Sequence, residues 1–191
     1  MDLLEAIYTR RSVRAFDPLP VPADVLRQLL SAAVQAPSGM NRQPWAFGVL
    51  TGVAAVRDLG DRAKAHLLAN IADDSPLAVY RERLAQTDFQ LFYGAPAAVV
   101  IYGKPEGVTT QTDCALAAQN LMLAACALGW GTCWVGFSHG YLDLPEVKAG
   151  LGVPADYRVA APLALGRPAV PIPAVPIPAV PKAPPEIVFW R

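Results

Sequence analysis

Apolar residues recur along this chain in two rhythms, and the rhythm assigns most of the elements. Leu3, Leu4 and Ile7 share one side of a short amphipathic helix that stops before a run of arginines. Val25, Leu26, Leu29, Leu30 and Ala33 repeat at helical spacing and predict a second helix reaching Ala36. Pro37 stops it, because proline has no N–H to continue the ladder. A third helical stretch covers Val53 to Asn70. Cys114 to Gly129 is apolar on nearly every face, with Gln119 and Asn120 as its polar interruption, and reads as a buried helix. It is too short to cross about 30 Å of hydrocarbon. Four short runs, bounded by Gly or Pro and rich in β-branched or aromatic residues, read as strands: Trp45 to Leu50, Ala97 to Tyr102, Thr132 to Val135 and Tyr157 to Leu165. Ile71 to Gly94 is more polar and less periodic, and suits a lid over a pocket.

Helices and strands are interspersed, yet no strand opens through a glycine-rich loop into a helix. The expected class is therefore α+β, a mostly antiparallel sheet flanked by helices, in one domain over residues 1–168. Residues 169–191 form a proline-rich C-terminal arm in which Val170-Pro171-Ile172-Pro173-Ala174 is repeated at once as Val175-Pro176-Ile177-Pro178-Ala179. So many prolines favour an extended chain rising about 3.1 Å per residue. Its Val and Ile side chains, with Phe189 and Trp190 beyond, suit an arm lying along another surface, a partner subunit's among them. A solvated linker is the alternative.

Composition narrows the function. Of 191 residues, 53% are hydrophobic and 17% charged, enough for a packed core. The 16 basic and 16 acidic residues cancel, which argues against nucleic acid or an acidic membrane surface as partner. Asp2 and Glu5 stand where an export signal would be basic. Cys114, Cys126 and Cys133 are odd in number and lack the paired spacing of a zinc site or redox dithiol. No metal site and a reducing, cytoplasmic location are expected.

Three clusters carry candidate chemistry. Arg10, Arg11, Ser12 and Arg14 put three permanent cations and a hydroxyl at a helix end, suited to a phosphate and a second anionic group. The alternative is that they merely complement the helix dipole. Pro37, Ser38, Asn41 and Gln43 lie in a helix-to-strand loop whose amides and hydroxyl suit a sugar or the edge of a heterocycle, or simply turn chemistry. Gly129 to Gly136 is a helix end followed by a strand, the reverse order of a dinucleotide fingerprint. Gly136-Phe137-Ser138-His139-Gly140 matches the nucleophile elbow of serine hydrolases. That mechanism needs a later histidine, and none follows His139.

Together these clusters resemble the nitroreductase family of FMN-dependent oxidoreductases. The likeness rests on Arg10-Arg11-Ser12-Val13-Arg14-Ala15-Phe16, on Ala36 through Trp45, on Ala95-Pro96, on Asp113 with Gln119-Asn120, on Gly129 through Gly136, and on Leu165-Gly166-Arg167-Pro168. It implies an obligate homodimer with non-covalent FMN at the interface, reduced by NADH or NADPH. By a ping-pong hydride transfer at the flavin, a nitroaromatic, quinone or related small acceptor would then be reduced. By the same resemblance Arg10, Arg11 and Ser12 hold the FMN phosphate and ribityl chain, and Arg14 the N1 and C2 carbonyl edge. Pro37, Ser38 and Asn41 reach in from the other subunit with Gln43 supporting them, and Cys133, Trp134, Val135 and Gly136 face the ring. Arg167 and Lys182 are candidates for a basic residue at the phosphate. The long apolar helix becomes dimer core. No side chain is required as nucleophile or base, because the cofactor carries the chemistry. Flavin fragmentation, dehalogenation, and a flavin-binding module with little turnover are the competing functions within this reading.

Overall fold

The computed structural model describes residues 1–170 and 182–189. Asp2 opens the first helix, α1 (Leu3–Thr9), by accepting the Glu5 N–H at 2.8 Å, and Arg10 closes it. α2 (Ala23–Ala33) ends three residues short of the sequence expectation. Its last carbonyls are taken by tighter turn bonds, Gln35 N–H to Ala32 O and Ala36 N–H to Ala33 O, so the chain has left the helix before Pro37. β1 (Trp45–Thr51) leads through Gly52, at φ 99°, into α3 (Val53–Asn70), which matches its predicted bounds. Then come α4 (Arg81–Ala85), β2 (Ala97–Gly103), α5 (Thr110–Ala127), β3 (Gly131–Trp134), α6 (His139–Leu142), α7 (Pro145–Gly150) and β4 (Arg158–Gly166).

The four strands form one sheet in the order β1-β2-β4-β3, and every neighbouring pair is antiparallel. Both faces are covered. Val99, Ile101, Leu163 and Leu165 point to a core shared with α2 and α5, while Ala98, Val100, Tyr102 and Ala164 point to a second core shared with α3 and α4. Burial on both faces is why β2 and β4 read as continuous apolar runs without alternation.

α5 lies between the sheet and α2, with α1 packed beside it. It buries Cys114, Ala117, Ala118, Leu121, Met122, Ala125 and Cys126 within the single chain, so most of its uniform hydrophobicity serves this chain's own core. Leu116 remains 41% exposed. Among the described residues nothing covers the apolar side of α1: Leu3, Leu4 and Ile7 are exposed and only Ala6 is buried. Ile71 to Gly94 is more than a lid, because Ile71, Leu84, Leu91 and Phe92 are anchored in the second core. Most of the Val-Pro-Ile-Pro-Ala repeat lies outside the described residues. No described helix is long and apolar enough to cross a membrane.

A proline in the middle of β4 explains the hydrolase-like motif. Pro162 accepts the Val135 N–H at 2.8 Å but has no N–H to return to the Val135 carbonyl. That carbonyl is satisfied by Ser138 instead, through its backbone N–H at 3.1 Å and its hydroxyl at 2.8 Å. Ser138 is wholly buried and its hydroxyl is committed to this bond, so it is no nucleophile.

Candidate cofactor and acceptor site

β3 is one edge strand of the sheet, and the N-terminal arginine segment is laid along it. Ser12 makes a parallel bridge to Thr132, and the Val13 N–H donates to the Thr132 carbonyl at 2.9 Å. The approach is close enough to require glycine at 131. A Cβ there would meet Val13 Cγ2 at 2.7 Å and Val13 Cβ at 2.9 Å. The chain leaving β4 runs on the other side of the same segment, with Phe16 bridged to Pro168 and the Asp17 N–H bonded to the Arg167 carbonyl at 2.9 Å. The Arg167 guanidinium stacks on Trp130, 5.3 Å from the ring centroid. Residues far apart in sequence, Arg10 to Arg14 and Arg167, are thereby gathered at one sheet edge.

Within this group the arginines differ. Arg11 turns one guanidinium nitrogen back to the Tyr8 and Arg10 carbonyls, at 2.7 and 2.8 Å, so part of it serves the helix end as the dipole alternative expects. Arg10 does not: its Nε is buried with no hydrogen-bond partner. An unpaired buried donor on a permanent cation is costly, and an anion beside it removes the cost. The residues present therefore fit a phosphate at Arg10.

Arg14 is exposed and leads from the sheet edge into a cleft. Its guanidinium lies 6.0 Å from the Tyr93 ring centroid. Burial pushes the Tyr93 phenol up, with Cys133 adding to the rise and Arg14 opposing it. Cys133 sits beside them, 2% exposed, and burial pushes its thiol up against the pull of Arg14 and a hydrogen bond from Ser12. A thiol held neutral in this way is a neighbour of the site and a poor nucleophile. Val135 faces inward with its N–H spent on Pro162, so of the Cys133 to Gly136 stretch Trp134 and Gly136 are the exposed members.

The cleft has a volume of about 670 Å³. Beyond Arg14 and Tyr93 it is lined by Tyr80, Arg83, Phe89 and Phe137. These were not singled out from the sequence. The available signal was Phe92-Tyr93-Gly94 ahead of Ala95-Pro96, an aromatic turn in which Tyr93 adopts φ 57° and Gly94 φ 74°.

The loop from Pro37 to Gln43 is assembled elsewhere. Met40, Asn41 and Gln43 all have positive φ, of 54°, 56° and 51°. For non-glycine residues this costs about 1–3 kcal/mol each and persists only under outside restraint. The restraint is visible: the Gln43 N–H donates to Ser38 Oγ at 2.9 Å, the Gln43 side chain to Asn41 Oδ1 at 3.2 Å, and the Gly39 N–H to the Asp113 carboxylate at 3.2 Å. Asp113 also accepts from Thr109 Oγ1 at 3.0 Å. Asp113 stands in the first turn of α5, whereas Thr9, beside Arg10, touches Cys126 in its last turn at 3.8 Å. The two polar clusters are thus held at opposite ends of α5, about 20 Å apart along its axis. One chain does not bring them together. Lys182 is exposed beyond the proline repeat. Among the described residues no group of three or more His, Cys, Asp or Glu side chains is placed to hold a metal ion.

A doubly covered antiparallel sheet whose β3 edge gathers arginines from both ends of the chain defines an oxidoreductase fold of the nitroreductase type. The sequence profile of the nitroreductase family matches residues 7–167, and the chain belongs to that family. It is 32% identical to a putative NADH dehydrogenase/NAD(P)H nitroreductase of Methanothermobacter thermautotrophicus, over 88% of this chain and 78% of that protein. The crystal structure of an FMN-bound nitroreductase from Bacteroides fragilis superposes with a TM-score of 0.76 at 35% identity, covering 88% of this chain and 89% of the other. An FMN-bound nitroreductase from Desulfitobacterium hafniense gives 0.79 at 28% identity, with both chains covered in full.

Proposed function

We propose that this nitroreductase-family chain is an FMN-dependent NAD(P)H oxidoreductase, acting as a homodimer on nitroaromatics, quinones or similar small acceptors. The observation that carries the proposal is the unpartnered buried Nε of Arg10 at the head of an arginine cluster pinned to the edge strand β3. Bound FMN would supply the redox chemistry, a ping-pong hydride transfer between NAD(P)H and the acceptor.

The chain's own residues bind, orient and shield. Arg10, Arg11, Ser12 and Arg167 supply charge-assisted and neutral donors for the phosphate and ribityl chain, with Lys182 a further cation near the C-terminus. Arg14 would meet the pyrimidine edge of the ring, where a guanidinium can stabilise negative charge. Trp134 and Gly136, at the exposed end of β3, offer contact to the ring, and Cys133 and Val135 pack behind them. The aromatic walls of the cleft exclude water and stack planar reactants. Pro37, Ser38, Asn41 and Gln43 belong to the partner's contribution, because the length of α5 keeps them from Arg10 in their own chain while a two-fold copy brings them across. The apolar side of α1 that the described residues leave exposed, with Leu116 of α5, is the matching surface. A cytoplasmic location belongs to the same reading and is supported by three buried free thiols.

The test is a visible spectrum of the purified protein after gel filtration, recorded anaerobically before and after NADH or NADPH. Bound flavin that bleaches, and returns on adding menadione or a nitroaromatic, is expected; failure to retain added FMN overturns the proposal. Arg10→Ala should weaken FMN binding about 10- to 150-fold, the loss of a charge-assisted hydrogen bond worth about 1.5–3 kcal/mol. Unchanged affinity removes Arg10 from the site.

A further inference from the structure

The cleft beside Arg14 has an internal order that its reading as a generic acceptor site leaves unused. Phe89 and Tyr93 meet edge to face, their centroids 6.1 Å apart at 84°. Each ring carries a guanidinium: Arg14 lies 6.0 Å from Tyr93, and Arg83 lies 5.0 Å from Phe89. Tyr80 and Phe137 form a second edge-to-face pair in the same cleft, 5.3 Å apart at 62°. Arg14 belongs to the β3 edge and the proposed flavin. Arg83 comes from α4, at the far end of this aromatic row. It bonds the neutral Gln86 side chain, and no described carboxylate lies within ion-pair distance of it. Asp88 also lines the cleft, yet with two guanidiniums against one carboxylate the lining keeps a net positive charge.

We propose that Arg83 is a specificity residue, and that the cleft selects planar aromatic acceptors carrying an anionic substituent such as a carboxylate. The aromatic pairs fix the plane of the ring, and Arg83 holds the anionic group by a charge-assisted hydrogen bond at the end away from Arg14. Arg83 is exposed on the cleft wall, so the gain is at the strong end of a surface ion pair, about fivefold in affinity per charge. The inference rests on the oxidoreductase reading for the fate of the bound ring, but the charge preference is measured without turnover.

The probe pair is 4-nitrobenzoate and 4-nitrobenzamide, which have nearly the same shape and differ in charge. Calorimetric titration into the holoprotein, with no NAD(P)H present, should give a benzoate Kd about fivefold below that of the amide. Arg83→Gln should bring the two together, and Arg83→Glu should reverse the order. Equal affinities in the wild type, or a ratio that survives Arg83→Gln, overturns the proposal. The same variants are then followed through the two half-reactions by stopped flow. If Arg83→Gln slows reduction by NADH or NADPH and spares oxidation by 4-nitrobenzoate, the guanidinium serves a phosphate of the donor and the proposal fails. A protein that binds the benzoate preferentially yet shows no turnover refutes the reductase function and leaves the charge preference measured.

Discussion

Replacing Gly131 by alanine tests the contact on which the whole sheet-edge cluster depends. The added methyl would sit 2.7 Å from Val13 Cγ2, 2.9 Å from its Cβ and 3.0 Å from its Cγ1. Val13 has nowhere to retreat, because it is 8% exposed and its N–H is bonded to the Thr132 carbonyl at 2.9 Å. Relief therefore requires moving the segment that carries Ser12 and Arg14 away from β3. Overpacking of this kind costs about 1–3 kcal/mol. For a chain of this size each kcal/mol lowers Tm by about 2–4 °C, so the expected fall is roughly 2–12 °C. Thermal unfolding followed by circular dichroism measures it, and a parallel FMN titration should show weaker binding. Val13→Ala removes the contacts at 2.7 and 3.0 Å and leaves the one at 2.9 Å, which a small residue can ease by tilting. The two substitutions should then be coupled, the pair costing at least about 1 kcal/mol less than the sum of the singles. Additivity within about 0.5 kcal/mol, or an unchanged Tm in Gly131→Ala, would refute the reasoning.

Other outcomes follow from the same contacts. Ser138→Ala should cost about 0.5–1.5 kcal/mol in urea unfolding and leave no esterase activity to lose, since the hydroxyl only supplements the backbone N–H at the Val135 carbonyl. Lys148 is fully buried, with Nζ donating to the Ala155 and Tyr157 carbonyls at 2.7 and 2.8 Å and lying 3.7 Å from Asp143. Lys148→Met should cost about 1–3 kcal/mol for each of the two carbonyls it leaves without this donor, while Asp143 keeps the Val159 N–H at 3.1 Å and Arg158 at 3.8 Å; a loss below 1 kcal/mol in the same urea assay would contradict this. Burial pushes the Cys114 thiol from 9.0 up to about 11. The unfolded chain then gives up this proton first, so the stabilisation is complete below about pH 9 and is lost as pH rises toward 11. Wild type should lose about 2 kcal/mol more than Cys114→Ala between pH 8 and 10.5; parallel pH profiles of the two proteins would count against it.

Local rules account for what was legible in the amino-acid sequence. The strand runs, α3 and the apolar α5 are each dictated by side chains within one element, and all stand within a few residues of their predicted bounds. The arginine cluster and the Pro37 to Gln43 loop were visible because their chemistry is concentrated in a few adjacent positions. Tertiary structure decided what those residues meet. Only folding places Ser12 against Thr132, aligns Arg167 with the same edge, and sets the two polar clusters at opposite ends of α5. It also settled the meaning of Ser138, which depends on a proline in a different strand. The cleft was least legible of all, because Tyr80, Phe89, Tyr93 and Phe137 come from irregular backbone and short turns and Arg83 from the five-residue α4, none long enough to show a period. Periodicity reports which side of an element is buried; it carries no information about which distant element covers it, and that pairing is what builds the site.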